Sequence, residues 1–248
     1  MTEAALEFLD FRGTRLAYRL REGASPALMF LPGYASDMDG TKALALDSLA
    51  AARGLAMLRF DYSGTGSSQG RFEDGTLGGW LEQTLHMLDE LVDGPVILIG
   101  SSMGGWLALL VAAQRPGRVA AMVGIAAAPD FTDWGYGEAD RSELRRSGKL
   151  EQPNPYGPEP EVTTLGFWES GQSLRLLGGP IAVDCPVRLV HGDCDVEVPV
   201  EIATRTMRCL RSGDVQLLLV KGGGHRLSEP REIDAIVRMV GALLENPE

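Results

Sequence analysis

Residues 96–106, Val-Ile-Leu-Ile-Gly-Ser-Ser-Met-Gly-Gly-Trp, decide how this chain folds. The first four are wholly apolar, which predicts a short strand buried on both faces. The stretch 106–113 is apolar all round, which predicts a buried helix. Between them lies the pattern Gly-x-Ser-x-Gly, centred on Ser102. Alone this pattern is a weak signal, but between a strand and a helix it predicts a tight turn that presents the Ser102 hydroxyl as a nucleophile at the carboxyl edge of a sheet.

The segments on either side extend this strand and helix into an α/β fold. Further apolar runs predict strands at 27–31, 55–60, 119–126, 187–190 and 215–220, and residues 8–11 and 16–20 predict an opening hairpin. Helical spacing of apolar residues occurs at 81–91 and 233–244. Strands that alternate with helices predict parallel β-α-β units. We therefore expect residues 1–248 to form a single domain: a mostly parallel, twisted sheet of about eight strands with helices on both faces.

One segment, residues 129–179, interrupts this alternation. No strand pattern occurs in it, and it is longer than an ordinary connection between a strand and a helix. Its aromatic density argues against a disordered linker. The sequence therefore predicts a cap insertion that packs over the site. We expect substrate contacts from Trp134, Phe167 and Trp168 of this insertion and from Gly33 of the core. The insertion holds six of the chain's aromatic residues: Phe131, Trp134, Tyr136, Tyr156, Phe167 and Trp168.

A serine hydroxyl needs a neighbouring base, and the chain has 3 histidines. His86 lies within the helical pattern 81–91 and is interpreted as a surface or boundary residue. His191 ends the apolar run 187–190 and is interpreted as structural. His225 follows three glycines at the end of the run 215–220, where a flexible loop lets a side chain reach across the sheet edge. We therefore predict His225 as the base.

A base of this kind needs a carboxylate to orient it, and the oxyanion formed on attack needs donors. Asp193 and Asp195 both follow the run 187–190. Asp directly after Gly is commonly a turn residue, which favours a structural role for Asp193. For the oxyanion we predict the backbone N–H of Met103, which follows the serine, and that of Tyr34, in the loop after the first buried strand.

The composition excludes several classes of partner. The 248 residues carry 34 acidic and 23 basic side chains, giving a formal net charge of −11. So acidic a surface repels nucleic-acid phosphates and anionic lipid headgroups. No run approaches the roughly 20 apolar residues that cross a bilayer. We therefore expect neither nucleic-acid binding nor stable membrane insertion, and the sequence leaves the oligomeric state open.

The cysteines and glycines indicate neither a metal nor a cofactor. The 3 cysteines have no paired spacing, and no cluster of His, Cys, Asp and Glu has the spacing of metal ligands. The stretch 61–68 resembles the start of a nucleotide-binding loop, with glycines at 64 and 66. The next glycine, at 70, comes one place too late for that pattern. Unpaired cysteines favour a reducing compartment, and the N-terminus has neither a signal nor a transit pattern. A cytoplasmic location is expected from these features.

Several strings of residues are more distinctive than the serine motif alone. They are Phe-Leu-Pro-Gly-Tyr at 30–34, Gly-Thr-Lys-Ala-Leu-Ala at 40–45, Arg-Phe-Asp-Tyr-Ser-Gly at 59–64, Gly-Ser-Ser-Met-Gly-Gly-Trp-Leu at 100–107, Cys-Pro-Val-Arg-Leu at 185–189, His-Gly at 191–192 and His-Arg at 225–226. In these strings the chain resembles the abhydrolase-domain (α/β-hydrolase) family. Within it, the chain is most similar to the mitochondrial acyl-protein (palmitoyl-protein) thioesterases, also described as mycophenolic acid acyl-glucuronide esterases, and to their bacterial homologues.

The resemblance implies an α/β-hydrolase fold and a catalytic triad of Ser102, Asp195 and His225. In this family the usual spacing is His-Gly, two residues, Asp, two residues, Val-Pro, which selects Asp195 over Asp193. It also implies cleavage of carboxylic esters, acyl thioesters or acyl glucuronides, on a small molecule or an acylated protein. Together with the aromatic insertion, it predicts a hydrolase for apolar acyl groups that works through an acyl-serine. The alternatives are a cofactor-free lyase, peroxidase or C–C hydrolase on the same fold, or a non-catalytic binding module, which the complete triad disfavours.

Overall fold

A computed structural model describes residues 4–154, 157–158 and 160–245. The strands are β1 (Glu7–Phe11), β2 (Thr14–Arg21), β3 (Ala24–Leu31), β4 (Leu55–Phe60), β5 (Val96–Ser101), β6 (Val119–Ile125), β7 (Lys149–Gln152), β8 (Glu161–Thr164), β9 (Val187–Gly192) and β10 (Val215–Val220). The α-helices are α1 (Thr41–Arg53), α2 (Leu77–Leu91), α3 (Met103–Gln114), α4 (Phe131–Trp134), α5 (Glu138–Ser147), α6 (Leu165–Ser173), α7 (Val200–Cys209) and α8 (Pro230–Glu245).

Eight of the strands form one sheet in the order β1-β2-β4-β3-β5-β6-β9-β10. The pairs β1–β2 and β2–β4 are antiparallel, and every other neighbouring pair is parallel. The predicted α/β class, with a mostly parallel sheet of eight strands and an opening hairpin, is confirmed. Because β3, β5, β6, β9 and β10 run in one direction, the loops that follow them meet at one edge of the sheet.

The sheet has a hydrophobic core on each face. On one face α2 and α3 pack against the strands, and every residue of β5 is buried. On the other face the core includes Leu46 of α1 and Val240 of α8. Burial on both faces explains why the central strands are continuous apolar runs instead of alternating patterns. The same burial on both faces holds β5, and the start of α3 that follows it, in place between the two layers of helices.

The predicted insertion, residues 129–179, lies between β6 and β9 and contains α4, α5, β7, β8 and α6. The sequence predicted no strand here, yet β7 and β8 form a small antiparallel sheet, called the hairpin below. These strands are four residues each and largely polar, so they lack the apolar run by which the others were predicted. At the base of the insertion the carboxylate of Asp130 accepts the amide N–H groups of Leu176 and Leu177, each at 2.7 Å. Tyr156 lies outside the described residues.

Among the described residues no helix is long and apolar enough to span a bilayer. In the same residues, no group of three or more His, Cys, Asp or Glu side chains is placed to hold a metal ion.

Candidate active site

The turn between β5 and α3 holds Ser102 in an uncommon backbone conformation. Its φ is 53° and its ψ is −118°, a region that costs a non-glycine residue free energy and requires support from its surroundings. A Cβ atom on Gly100 would collide with the backbone of Gly104, and one on Gly104 would collide with the carbonyl of Leu31. Both motif glycines are therefore required by close backbone contacts, which place the Ser102 side chain at the edge of the sheet.

The loops after β10 and β9 bring two further side chains to the site at Ser102. Its Oγ lies 3.1 Å from Nε2 of His225, in the loop after β10. Nδ1 of the same imidazole lies 2.9 Å from Oδ2 of Asp195, in the loop after β9. These two distances are hydrogen bonds, so a proton can pass from the hydroxyl to the imidazole.

The alternative histidines and the alternative aspartate have other partners. His191 is 1% exposed; its Nε2 donates to the carbonyl of Val198 at 2.9 Å and lies 3.4 Å from Oδ2 of Asp195, so His191 supports the loop that carries Asp195. His86 donates to the carbonyl of Asp10, far from the serine. Asp193 accepts the amide N–H of Gly222 and so ties the loop after β9 to the loop after β10. All three therefore have structural contacts.

Asp195 is held as a buried carboxylate. Its side chain has no exposed surface, and burial alone would raise its pKa. The hydrogen bond from His225 and the amide N–H groups of Glu197 and Val198 outweigh that effect, so the pKa lies below the ordinary value for aspartate. The carboxylate is therefore ionised at neutral pH, where it can stabilise an imidazolium.

Two backbone amides are available to an oxyanion. Met103 is the first residue of α3, where an amide N–H has no acceptor within its own helix. The amide of Tyr34, in the loop after β3, likewise donates to no other group in the described part of the chain. A Cβ atom placed on Gly33 would lie 3.4 Å from Cβ of Ser102, so the loop after β3 lies beside the serine.

A cavity of about 790 Å³ opens beside Ser102 and His225. Of the predicted substrate contacts, Gly33 and Trp134 line it, whereas Phe167 and Trp168 do not. Phe167, 1% exposed, packs into the hydrophobic core on one face of the sheet, and Trp168, 8% exposed, packs in the interior of the insertion. The aromatic part of the wall is completed by Tyr34, Phe72, Phe131 and Tyr136. Three aromatic residues of the insertion, Phe131, Trp134 and Tyr136, therefore line the cavity, whereas aromatic density in the sequence did not indicate which face of α6 points toward it.

The polar end of the cavity includes two charged residues that the sequence reasoning did not select. Lys42, near the start of α1, donates from Nζ to the carbonyl of Arg226, the residue after His225, at 2.6 Å. Burial and the charge of Arg226, partly offset by Glu232, lower the pKa of Lys42 from 10.5 to about 8. Glu197 Oε2 lies 3.8 Å from His225 Nε2. Lys42 lies in the distinctive string at 40–45, so the sequence did mark this position. No residue near it in the sequence indicated that it would contact the residue after His225.

Comparisons with known proteins identify close similarity over most of the chain. A family model described as alpha/beta hydrolase fold matches residues 26–143. The mitochondrial palmitoyl-protein thioesterase ABHD10 of Homo sapiens is 39% identical over 234 residues, which cover 93% of this chain and 76% of the human protein. The structure of mouse alpha/beta hydrolase domain-containing protein 10 superimposes with a TM-score of 0.91 at 36% identity, covering 98% of this chain and 99% of the mouse chain. A hydrolase from Agrobacterium vitis S4 gives a TM-score of 0.90 at 39% identity, covering 97% and 98% of the two chains.

The comparisons correct one expectation. The curated relatives from human, orangutan and mouse are named as mitochondrial proteins, so the cytoplasmic location expected from the sequence is wrong. The expectation failed because unpaired cysteines do not identify a single compartment. The three cysteines are free thiols, and free thiols distinguish reducing from oxidising surroundings without distinguishing one reducing compartment from another.

Proposed function

Since the chain belongs to the alpha/beta hydrolase fold family and is a hydrolase of esters or thioesters, we propose that Ser102, His225 and Asp195 are its catalytic triad. The observation that carries the proposal is the continuous hydrogen-bond path from Ser102 Oγ through the imidazole to the Asp195 carboxylate. A base and an orienting carboxylate at these distances are what a serine hydroxyl needs to act as a nucleophile.

The first half of the reaction transfers the acyl group to the enzyme. Nε2 of His225 takes the proton of Ser102 as Oγ bonds to the acyl carbonyl carbon, and the carbonyl π electrons move to the oxygen. The amides of Met103 and Tyr34 then donate to this oxyanion. When the carbonyl re-forms, the bond to the leaving group breaks, and the imidazolium gives its proton to the departing alcohol or thiol. The acyl group remains as an ester of Ser102.

The second half releases the acid. Water takes the place of the leaving group, gives a proton to His225 and attacks the acyl-serine through the same oxyanion geometry. Asp195 keeps the Nδ1 proton in place and stabilises the imidazolium in both halves. Collapse of the second intermediate returns the proton to Ser102 Oγ and releases the carboxylic acid.

The cavity supports an apolar acyl donor. Its volume of about 790 Å³ lies within the range of sites that enclose drug-sized ligands. Its aromatic wall, which includes Phe72, Phe131 and Trp134, is suited to an acyl chain or an aryl acid, and the polar end near Lys42 is suited to the leaving group. The human and mouse relatives are named palmitoyl-protein thioesterases. We therefore propose acyl thioesters, acylated cysteine of a protein among them, together with oxygen esters of the same acids.

The proposal is tested with the wild-type chain and Ser102→Ala. We expect a fluorophosphonate to label the wild type covalently and Ser102→Ala to remain unlabelled. The variant should hydrolyse an aryl ester at least about 10³-fold more slowly, since loss of a triad member removes nucleophilic catalysis. Rates should then be compared for matched oxygen esters and thioesters of increasing acyl length. Unchanged turnover in folded Ser102→Ala would show that the triad proposal is wrong and would favour another reaction of this fold.

A further inference from the structure

The loop that carries the second oxyanion donor, residues 32–36, is weakly held by its own backbone. Among the described residues, the backbone of this loop accepts one hydrogen bond from the core, from the Tyr62 hydroxyl to the Pro32 carbonyl, and makes one within the loop, from the Ser36 N–H to the Gly33 carbonyl, both at 3.3 Å. Both exceed the common length of such hydrogen bonds. Ala35, directly after Tyr34, has a φ of 51°, so the backbone changes direction there. The position of the Tyr34 amide is therefore not fixed by the loop alone.

The side chain of Tyr34 makes a shorter bond, and it reaches into the insertion. Its hydroxyl donates to the carbonyl of Val162 on β8 at 2.7 Å, across 128 residues of sequence. Burial raises the pKa of Tyr34 well above its usual range, so the phenol stays protonated and remains a donor. This is the shortest polar tie of the loop, and it ends on the hairpin rather than on the sheet.

The ring of Tyr34 is enclosed by aromatic side chains of both parts of the molecule. Its centroid lies 4.7 Å from that of Phe167 in the insertion and 4.9 Å from that of Phe72 in the core. Trp80 and Phe131 complete the enclosure at 6.0 and 6.1 Å. Tilted and edge-to-face ring contacts at these distances restrict where a ring can lie. Since ring and amide belong to one residue, holding the ring and its hydroxyl also restricts the direction of the N–H.

We propose that Tyr34 is a positioning residue, whose phenol uses the Val162 carbonyl of the hairpin to fix the backbone N–H that Tyr34 donates to the oxyanion. This inference rests on the proposed function, because it needs an oxyanion at Ser102. It makes the insertion part of the catalytic apparatus, and not only a wall of the substrate cavity. The rate of acyl transfer then depends on a hydrogen bond that is made outside the triad.

Tyr34→Phe tests this directly, because it removes one hydroxyl and leaves the ring and the backbone N–H in place. Removing an oxyanion donor altogether costs about 10² to 10³ in kcat. A donor that is present but loosely held should cost less, and we expect kcat to fall about 5- to 30-fold with KM within twofold of the wild type. The fall should be equal for short and long acyl chains, because the oxyanion is common to all of them.

A second readout follows the oxyanion itself. A trifluoromethyl ketone forms a hemiketal with Ser102 whose oxyanion occupies the same site, so its affinity for Tyr34→Phe should weaken in proportion to kcat/KM. The matched control is Ser170→Ala. Ser170 Oγ accepts the amide N–H of Gly78 at 2.9 Å, another single hydrogen bond between the insertion and the core, which involves no residue of the loop after β3. We expect this control to keep the wild-type kcat and the wild-type affinity for the ketone.

Each outcome separates this inference from the proposed function. If Ser102→Ala is inactive and Tyr34→Phe loses no more kcat than Ser170→Ala, the positioning role is refuted while the triad stands. A rise in KM alone, or a loss confined to long acyl chains, would make the phenol a substrate contact and would also refute it. If Ser102→Ala retains full turnover, the proposed function itself fails. Thermal melting of Tyr34→Phe and Ser170→Ala confirms that both variants are folded.

Discussion

The turn at Ser102 and the insertion contribute to one site but are held in place differently. At the turn, glycines allow backbone segments to touch, and the surrounding strands are buried on both faces. In the insertion, contacts come from side chains that are distant in sequence, such as Asp130 with Leu177 and Tyr34 with Val162. A change at the turn therefore has no space to relax into, whereas a change in the insertion removes one contact among several. This difference predicts which substitutions abolish the site and which only loosen it.

Asp195→Asn should give the largest effect, a fall in kcat of about 10³ to 10⁴. An asparagine fills the same space but cannot stabilise the imidazolium and favours the wrong tautomer of His225. Steady-state hydrolysis of an aryl ester measures the fall. Asp193→Asn is the matched control, because Asp193 contacts a backbone amide and not the base. Equal losses in the two variants would contradict the choice of Asp195.

Gly104→Ala should destabilise the protein by about 2–3 kcal/mol, since the new Cβ would meet the carbonyls of Leu31 and Pro32. The gain in helix propensity, about 1 kcal/mol, does not offset this. Gly178→Ala, in the insertion, has open space around the new atom and should stay within about 0.5 kcal/mol of the wild type. Urea unfolding of both variants measures the difference. Similar stabilities would show that the turn is less rigid than its contacts indicate.

Asp130→Asn should loosen the insertion by about 1–2 kcal/mol, because an amide side chain offers one acceptor where the carboxylate offers two. Hydrogen exchange should then speed up at Leu176 and Leu177 while β5 remains protected. Asp133→Asn, which removes an exposed ion pair with Arg175, is the control and should change exchange little. Faster exchange throughout the sheet in Asp130→Asn would argue that insertion and sheet unfold as one unit.

Lys42 gives a pH dependence of stability whose sign follows from its lowered pKa. Its pKa is lowered on folding from 10.5 to about 8, so the unfolded chain binds more protons between these values and stability rises with pH there. Lys42→Met lacks this titration. The free energy of unfolding of the wild type, relative to Lys42→Met, should therefore increase by about 1–2 kcal/mol from pH 7.5 to 9.5. Urea unfolding at the two pH values measures it, and a constant difference would mean that Lys42 is well solvated.

Much of the fold was predictable because its signals are local. The apolar runs of the central strands and the helical spacing in α2 and α8 reflect burial between two layers, which leaves a pattern in the sequence itself. The hairpin was missed for the opposite reason: β7 and β8 are short, polar and only partly buried. Cavity contacts such as Phe72 and Lys42 were missed because each lies far in sequence from Ser102.

The sequence by itself determined the parallel sheet, the serine at a glycine-flanked turn and the candidates for base and carboxylate. These follow from local rules: burial imposes a hydrophobic pattern, and a strained turn excludes side chains. Only the tertiary structure decided which face of α6 points inward, what Lys42 contacts and that the Tyr34 hydroxyl reaches Val162. Such contacts join residues more than a hundred positions apart, and no local pattern specifies which distant backbone carbonyl a side chain will reach.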